Sequence, residues 1–297
     1  MMDIMRAPAA EYLIRQRVSA LGRALPAAKA GDVTSLHRAR VATRRLRAAL
    51  PLVASDGKAG KVVKSVRRLT RILGPVRELD VALMILDELD QSGDVPRPGI
   101  DRLRASIVQE RQRLQAEVRE EIDEFDLDKL RKRALKVASN AGDDRAPHES
   151  AGVRRARIGR RARRLASAIE SAAGLYLPDR LHEVRIAVKK LRYTLELGIA
   201  DLKRSAPRLR LLKHAQDLLG RMHDLEVLIA RTRSIQSSPG ASTLKVSADL
   251  DRIVRRLETE CRRLHGHYMA ARPELLRLCQ RLMASRKPRE RAGSSAA

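Results

Sequence analysis

The feature that most constrains the fold of this chain is an internal duplication. Residues 36–50 read LHRARVATRRLRAAL and residues 181–195 read LHEVRIAVKKLRYTL, with seven of fifteen positions identical at an offset of 145. A second pair, LGPVRELDVALMIL at 73–86 and LGRMHDLEVLIART at 219–232, follows in the same order at an offset of 146. Two matched segments at almost one offset indicate a tandem duplication of a unit of about 140 residues.

Apolar residues recur with helical spacing along the whole chain. Leu79, Leu83, Leu86 and Leu89 follow one another at intervals of three and four, and no window alternates with a period of two. Helix-breaking residues divide this pattern into helix-length pieces. These breakers are Gly31-Asp32, Gly74-Pro75, 92–99, 139–152, Leu177-Pro178, Ala206-Pro207, Gly220, 237–240 and Pro273.

The repeat and the helical spacing together predict an all-α protein built from two tandem helical bundles. We expect the first bundle over residues 1–140 and the second over residues 150–285, with the polar stretch 139–152 between them. The segment 286–297 has charge, Gly and Ser but no periodicity, which is typical of a disordered basic tail.

The composition indicates a folded protein with an anionic partner. Lys and Arg number 62 against 36 Asp and Glu, a net charge of +26, while 43% of the residues are hydrophobic, enough for a core. Aromatic residues make up only 2% of the chain. Such a chain lacks the several rings of a base-stacking platform for single-stranded nucleic acid, and it lacks the aromatic content that strands favour.

Several other classes lack their signatures. No stretch approaches the roughly 20 apolar residues that span a bilayer, and the N-terminal segment has no secretion signal, so we expect a cytoplasmic protein. Cys261 and Cys279 fit a reducing compartment, with a single disulfide left open. His214 and His223 have no carboxylate partners, so we expect no metal site and no cofactor. Paired carboxylates, phosphate loops and nucleophile elbows are missing from the sequence, and we expect no enzyme.

The duplicated segments carry two rows of basic residues. On a helical wheel His37, Arg40, Arg44 and Arg47 lie within a stripe of roughly 80°, opposite an apolar face that can be buried. We call this row the first ladder. The second copy places His182, Arg185, Lys189 and Arg192 in the same stripe, and we call that row the second ladder. Like charges at these spacings destabilise an isolated helix, and a polyanion lying along the helix would offset the repulsion.

The next helix of each copy repeats the pattern. Lys64, Arg67 and Arg71 share one face in the first copy, and we call them the α3 row; Arg210 and Lys213 match its first two members in the second copy, where Asp217 replaces Arg71. A single basic stripe is more often a solvated face, and each histidine taken alone is compatible with a structural role. The repetition of one spacing in both halves favours a binding function instead.

These motifs resemble those of a known family. The pattern H-x-x-R-x-x-x-[RK]-[RK]-L-R occurs twice, each time followed by L-G-x-x-[RH]-[DE]-L-[DE]-V, and it resembles the CHAD (conserved histidine α-helical domain) family from about Glu11 to Ser285. The resemblance implies two four-helix bundles related by a pseudo-two-fold axis, with basic residues facing a central groove. It also implies binding of inorganic polyphosphate and an association with polyphosphate granules.

The polyphosphate-binding residues that the resemblance implies are both ladders, the α3 row, its counterparts in the second copy, and one arginine from the first helix of each unit. By number they are His37, Arg40, Arg44, Arg47, Lys64, Arg67, Arg71, His182, Arg185, Lys189, Arg192, Arg210, Lys213, Arg15 and Arg160. The chain departs from a symmetric pattern at Asp217 and at His223, which corresponds to Arg77.

Two alternatives to polyphosphate binding stay open at this point. A sequence-independent DNA- or RNA-binding protein would also use a basic groove, because any phosphate backbone satisfies it. A polyphosphate-hydrolysing enzyme would need a divalent metal site, for which the sequence offers no ligand set. The scarcity of aromatic residues and of any recognisable base-reading helix disfavours the nucleic-acid alternative.

Overall fold

The computed structural model describes residues 6–53, 59–140, 151–172, 174–198, 202–237 and 244–284. Over these ranges the chain forms nine α-helices and no strand, which confirms the all-α prediction. The helices are α1 Arg6–Lys29, α2 Val33–Val53, α3 Gly60–Ser92, α4 Arg97–Asp123, α5 Leu127–Asn140, α6 Ala151–Ser171, α7 Pro178–Gly198, α8 Leu202–Gln236 and α9 Leu244–Ala284. The predicted tail 286–297 and most of the predicted linker 139–152 lie outside the described residues.

The helices group into two compact units. The first unit contains α1 to α5, the part of α8 from Arg221 onward and the part of α9 up to Arg263. The second unit contains α6, α7, α8 up to Gly220 and α9 from Leu264 onward. Residues 221–263 thus belong to the second half of the sequence but to the first unit in space, because α8 and α9 are each divided between the two units. The division into tandem bundles at 140 and 150 stays a prediction.

Four of the predicted helix breakers lie inside continuous helices. α3 runs through Gly74-Pro75, α8 runs through Ala206-Pro207 and Gly220, and α9 runs through Pro273. A proline inside a helix costs about 3 kcal/mol through its missing N–H and its ring clash. In α3 the buried side chains of Leu69, Leu73, Val76 and Leu79 flank the proline, and the burial of each contributes about 2 kcal/mol. The expectation of a helix end at these positions was therefore wrong, because packing outweighs the local penalty.

The turn between α1 and α2 is fixed by polar contacts. Gly31 adopts a φ of 96°, which ends α1, and Gln115 of α4 donates from Nε2 to the carbonyls of Ala28 and Lys29 at 3.2 and 2.9 Å. Asp32 then caps α2, because its Oδ1 accepts a hydrogen bond from the Ser35 backbone N–H at 2.6 Å. The hydrogen bonds from Ser35 lower the pKa of Asp32. The residue that caps α2 therefore lies five residues before His37, and the helix itself begins at Val33.

One ion pair lies inside the first unit. The Asp80 side chain of α3 is fully buried, and Arg111 of α4 donates from Nε to its Oδ1 at 2.7 Å. The same guanidinium donates from Nη2 to the Gly31 carbonyl at 3.0 Å, and Arg77 Nη1 lies 4.0 Å from Asp80 Oδ2. This pair joins α3, α4 and the end of α1, so it holds the helices that carry the basic residues.

The second unit has a core of aliphatic side chains with a small aromatic cluster. The His265 ring lies edge-on to Tyr176, with ring centroids 5.4 Å apart, and burial raises the pKa of Tyr268 to about 12. Cys279, in this unit, and Cys261, in the first unit, are both buried and form no disulfide with each other, and burial raises the pKa of Cys279 to about 12. None of the described helices combines the length and hydropathy needed to cross a membrane.

The buried ion pair gives a stability prediction. We expect Arg111→Ala to lower the free energy of unfolding by about 3 kcal/mol, because it leaves the Asp80 carboxylate buried without its main partner. The control is Arg113→Ala on the same helix, which removes an exposed arginine 4.0 Å from Glu117 and should change the free energy by less than about 0.5 kcal/mol. Urea denaturation followed by circular dichroism measures both. Equal losses would show that Asp80 does not depend on this arginine.

Candidate anion-binding site

The first ladder lies on α2 as the helical wheel predicts. Leu36, Ala39, Leu46 and Leu50 are buried on one side of the helix, which packs against α1 and α3. On the other side His37 and Arg47 are exposed, while Arg40 and Arg44 are half-buried. The ladder spans ten residues from His37 to Arg47, or about 15 Å along the helix axis.

Arg40 is held against the backbone of α3. Its Nη1 donates to the Thr70 carbonyl at 3.0 Å. The guanidinium also lies beside Gly74, where a Cβ atom would come within 3.0 Å of Arg40 Nη1. A side chain at position 74 would therefore crowd this arginine. Arg40 positions α2 on α3 as well as contributing charge.

The contacts between α2 and α3 define their register. Arg40 lies next to Thr70 and Gly74, and Arg77 acts electrostatically on His37. The residue numbers in these pairs sum to 110 or 114, as they do in an antiparallel helix pair. By the same sums Arg44 lies opposite residues 66–70 and Arg47 opposite residues 63–67. The same sums place the α3 row (Lys64, Arg67, Arg71) alongside the part of the first ladder from Arg40 to Arg47.

The two helices bring many positive charges together without carboxylates. α2 contains five arginines and no acidic residue, and α3 contains six cations between Gly60 and Arg77 before its first acidic residue, Glu78. Four of these cations form no ion pair or hydrogen bond with any described residue: Arg47, Lys64, Arg67 and Arg71. By contrast, Arg68 of α3 pairs with Glu121 at 2.7 Å and Glu124 at 3.3 Å. Arg71 lines the same cleft between α3 and α4 as Arg68 and Glu121.

The positive charge of these helices affects the pKa of His37. Partial burial of its ring lowers the pKa of His37 below 6.5, and the positive charges of Arg77, Arg44 and Arg40 lower it further. The protonated form of the imidazole is therefore disfavoured, and an anion bound beside it would raise its pKa again. Arg77 is a site residue that the sequence analysis left out of the ladder, because its proximity to His37 depends on how α3 packs against α2.

A cleft of about 560 Å³ opens on the α1 side of His37. Arg17 and Arg23 of α1 line it together with Ser35, His37 and Arg38 of α2. Arg15, the residue predicted from this helix, is exposed and is not part of the lining. The cleft extends the positive surface from His37 toward α1.

The second ladder differs from the first in its acidic neighbours. His182, Arg185, Lys189 and Arg192 are all half-buried on α7. Burial lowers the pKa of His182. The positive charges of Arg185 and Lys189 lower this pKa further, whereas the negative charges of Asp179 and Glu183 raise it. Arg192 pairs with Glu196 at 3.0 Å, with only 13% of its side chain exposed. The charge of this ladder is therefore partly compensated within α7.

The α8 residues of the second unit also differ from the α3 row. Lys213 pairs with Asp217, the residue that replaces Arg71, at 2.6 Å. Arg210 is exposed and forms no ion pair with any residue that the structure describes. Within the described residues, fewer of the predicted binding cations therefore lack an ion pair in the second copy than in the first.

Arg15 and Arg160 are not equivalent positions. The buried residues of α1 and α6 correspond at an offset of 144 residues. Arg15 and Arg160 are 145 residues apart, so they differ from this correspondence by one position. The matched buried residues are Val18 with Ala162, Leu21 with Leu165, Leu25 with Ile169, and Ala28 with Ala172. Arg160 is exposed on α6, and a ligand-binding role for Arg15 and Arg160 stays a prediction.

The arrangement provides positive charge and hydrogen-bond donors. Among the described residues, no group of three or more His, Cys, Asp or Glu side chains is placed to hold a metal ion. Guanidinium groups donate in bidentate fashion to phosphate oxygens, and a lysine ammonium adds a point charge. The chemistry that this surface supports best is the binding of an extended anion.

Comparison with known proteins identifies the domain. The family model described as CHAD domain matches residues 12–233. The crystal structure of the CHAD domain from the plant Ricinus communis has a TM-score of 0.68 with this chain at 22% identity, covering 90% of this chain and 91% of that one. A search of curated proteins found no match.

The placement of Arg77 gives a prediction that needs no ligand. We expect Arg77→Gln to move the pKa of His37 upward toward 6.5, because it removes the positive charge that acts most strongly on the ring. The matched control is Arg45→Gln, which removes an exposed arginine of α2 that is not among the charges acting on His37. Histidine NMR titration measures both variants. An unchanged His37 titration in Arg77→Gln would contradict the register given above.

Proposed function

The chain belongs to the CHAD domain family, and we propose that it binds inorganic polyphosphate along its two ladders without catalysing a reaction. The observation that carries the proposal is the group of four cations, Arg47, Lys64, Arg67 and Arg71, that have no protein partner among the described residues. They belong to α2 and to the part of α3 before Glu78, and neither of these segments contains a carboxylate. A linear polyanion supplies the missing negative charge at intervals along the row.

The residues of the first unit have different roles in this proposal. Arg44, Arg47, Lys64 and Arg67 contact phosphate oxygens directly, because the register of α2 and α3 inferred above places Arg67 opposite residues 43–47 and Lys64 opposite residues 46–50. Arg40 holds the two helices in register through the Thr70 carbonyl. The pKa of His37 is lowered in the free protein and rises when phosphate lies beside it, so that binding favours protonation of the ring.

The second unit contributes a weaker stretch of the same kind. His182, Arg185 and Lys189 face the ligand, while Glu196 and Asp217 already neutralise part of the charge of Arg192 and Lys213. Arg210 adds one exposed cation. We propose that the first unit supplies most of the binding free energy.

Binding without hydrolysis follows from the charge of the site. Hydrolysis of a phosphoanhydride is commonly assisted by divalent metal ions held by carboxylates. The ladders instead present guanidinium, ammonium and imidazole groups, which repel a metal ion. We propose a cytoplasmic protein at polyphosphate granules, in keeping with the family resemblance.

Charge reversal tests which cations matter. We expect Arg47→Glu, Lys64→Glu and Arg67→Glu together to weaken polyphosphate binding at least about tenfold, since repulsion replaces three phosphate contacts. The matched control reverses two arginines and a lysine that are exposed on α5, Arg131, Arg133 and Lys136, and should weaken binding about twofold through net charge alone. Fluorescence anisotropy at one fixed salt concentration measures both variants, with duplex DNA and RNA as competitors.

Two results would contradict the proposal. Equal losses in the two triple variants would show that the ladder is only part of a general basic surface. Competition by DNA or RNA as effective as that of polyphosphate, per phosphate, would favour the nucleic-acid alternative. A circular dichroism spectrum with unchanged helical content in both variants is required for the comparison.

The histidines predict a pH dependence. The pKa values of His37 and His182 lie below 6.5 in the free protein and should rise when phosphate binds. Binding then takes up protons, so affinity should increase as the pH falls from 8 to 6, and this gain should be lost as the pH rises through the bound-state pKa values. We expect His37→Gln with His182→Gln to flatten the profile. A wild-type profile that is already flat, measured by calorimetry in two buffers, would contradict this role.

A further inference from the structure

The second unit carries a further basic surface on α6. This helix contains seven arginines and a single acidic residue, Glu170. Five of the arginines fall within a stripe of about 120° that is about 15 Å long. We call this set the α6 stripe: Arg154, Arg157, Arg160, Arg161 and Arg164.

The equivalent helix of the first unit does not require these charges. At the offset of 144 that aligns the buried residues, the five positions correspond to Ala10, Leu13, Gln16, Arg17 and Ala20 of α1. One cation in α1 therefore corresponds to five in α6. Since the duplicated fold forms α1 without the stripe, a structural need does not explain the additional arginines.

The arginines of the stripe crowd one another. Burial lowers the pKa of Arg161, and the positive charges of Arg164, Arg157 and Arg160 lower it further. Arg154, Arg160, Arg161 and Arg164 form no ion pair with a residue that the structure describes. Their mutual repulsion would be relieved by an anion that lies along the helix.

The α6 stripe is separate from the second ladder. The charges that act on His182 all belong to α7, and the charges that act on Arg161 all belong to α6. On helical wheels each stripe is rotated about 120° from the buried side of its own helix. α6 and α7 pack as an antiparallel pair, so that, viewed from one end of the pair, both stripes are rotated in the same direction from the buried side. The two stripes therefore point away from each other and do not form one face.

We propose that the α6 stripe is a second polyphosphate-binding surface, which holds one segment of a long chain while another segment lies on the second ladder. This inference rests on the function proposed above. The α6 stripe would supply the second unit with positive charge in place of the charges of Arg192 and Lys213, which Glu196 and Asp217 neutralise.

The shape of the surface favours a flexible polyanion over a stiff duplex. A stripe that curves through 120° around a single helix is convex, and DNA with a persistence length of about 50 nm would touch only the crest near Arg157 and Arg164. A flexible phosphate chain can follow the curve and contact all five arginines. Once one segment is bound to the ladder, the next segment meets the stripe at a high effective concentration.

The experiment compares two chain lengths. The variant Arg154→Ala, Arg161→Gln and Arg164→Ala removes three stripe charges with residues that favour helix. The matched control Arg119→Ala, Arg131→Gln and Arg133→Ala removes three exposed arginines of α4 and α5. Binding is measured with a short polyphosphate no longer than one ladder, about 15 Å, and with a long-chain polyphosphate.

We expect the stripe variant to bind the long chain about tenfold more weakly than wild type and the short chain within about twofold, with the control changing neither by more than about twofold. Equal losses for short and long chains would overturn the inference, because the stripe would then belong to the primary site. Unchanged long-chain binding would overturn it as well, and so would a loss confined to duplex DNA. If the wild-type protein binds neither the short nor the long polyphosphate, the proposed function itself is overturned. That outcome is distinct from the comparison of the stripe variant with wild type, which tests only the second surface.

Discussion

Repulsion between like charges is the constraint on which the rest of this structure depends. α2 and the first part of α3 carry cations at helical spacing with no carboxylate among them, and each such pair destabilises a helix by about 0.2–0.5 kcal/mol. The helices form because their other faces are buried. Leu46, Leu50, Leu69 and Leu73 are fully buried, and each contributes about 2 kcal/mol. Packing therefore exceeds repulsion severalfold, and the protein can keep Arg47, Lys64, Arg67 and Arg71 without a partner among the described residues.

The same constraint separates the arginines into two groups. Some are fixed by the protein: Arg40 donates to the Thr70 carbonyl, and Arg111 pairs with the buried Asp80. Others, such as Arg47 and Arg67, have no partner in the described part of the chain. The fixed arginines hold α2, α3 and α4 in place, and the other arginines are the ones that we propose bind an external anion.

Much of this arrangement follows from the sequence, because it depends on helical periodicity. The spacing of His37, Arg40 and Arg44 placed them on one side of a helix whose other side is buried, as the structure shows. The role of Arg77 could not be predicted, since it comes from the packing of α3 against α2. Nor could the continuation of α3 through Pro75, because a local rule for helix ends does not include the burial of its neighbours. The sharing of α8 and α9 between the two units is likewise a tertiary property.

The most direct test of the account is a crystal structure of the protein with polyphosphate bound. We expect phosphate density to run along α2 and α3, with oxygens within hydrogen-bonding distance of Arg44, Arg47, Lys64 and Arg67. We also expect His37 to lie beside one end of this density. Density confined to other basic surfaces, such as the exposed cations of α5, with the first ladder and the α3 row empty, would contradict the account.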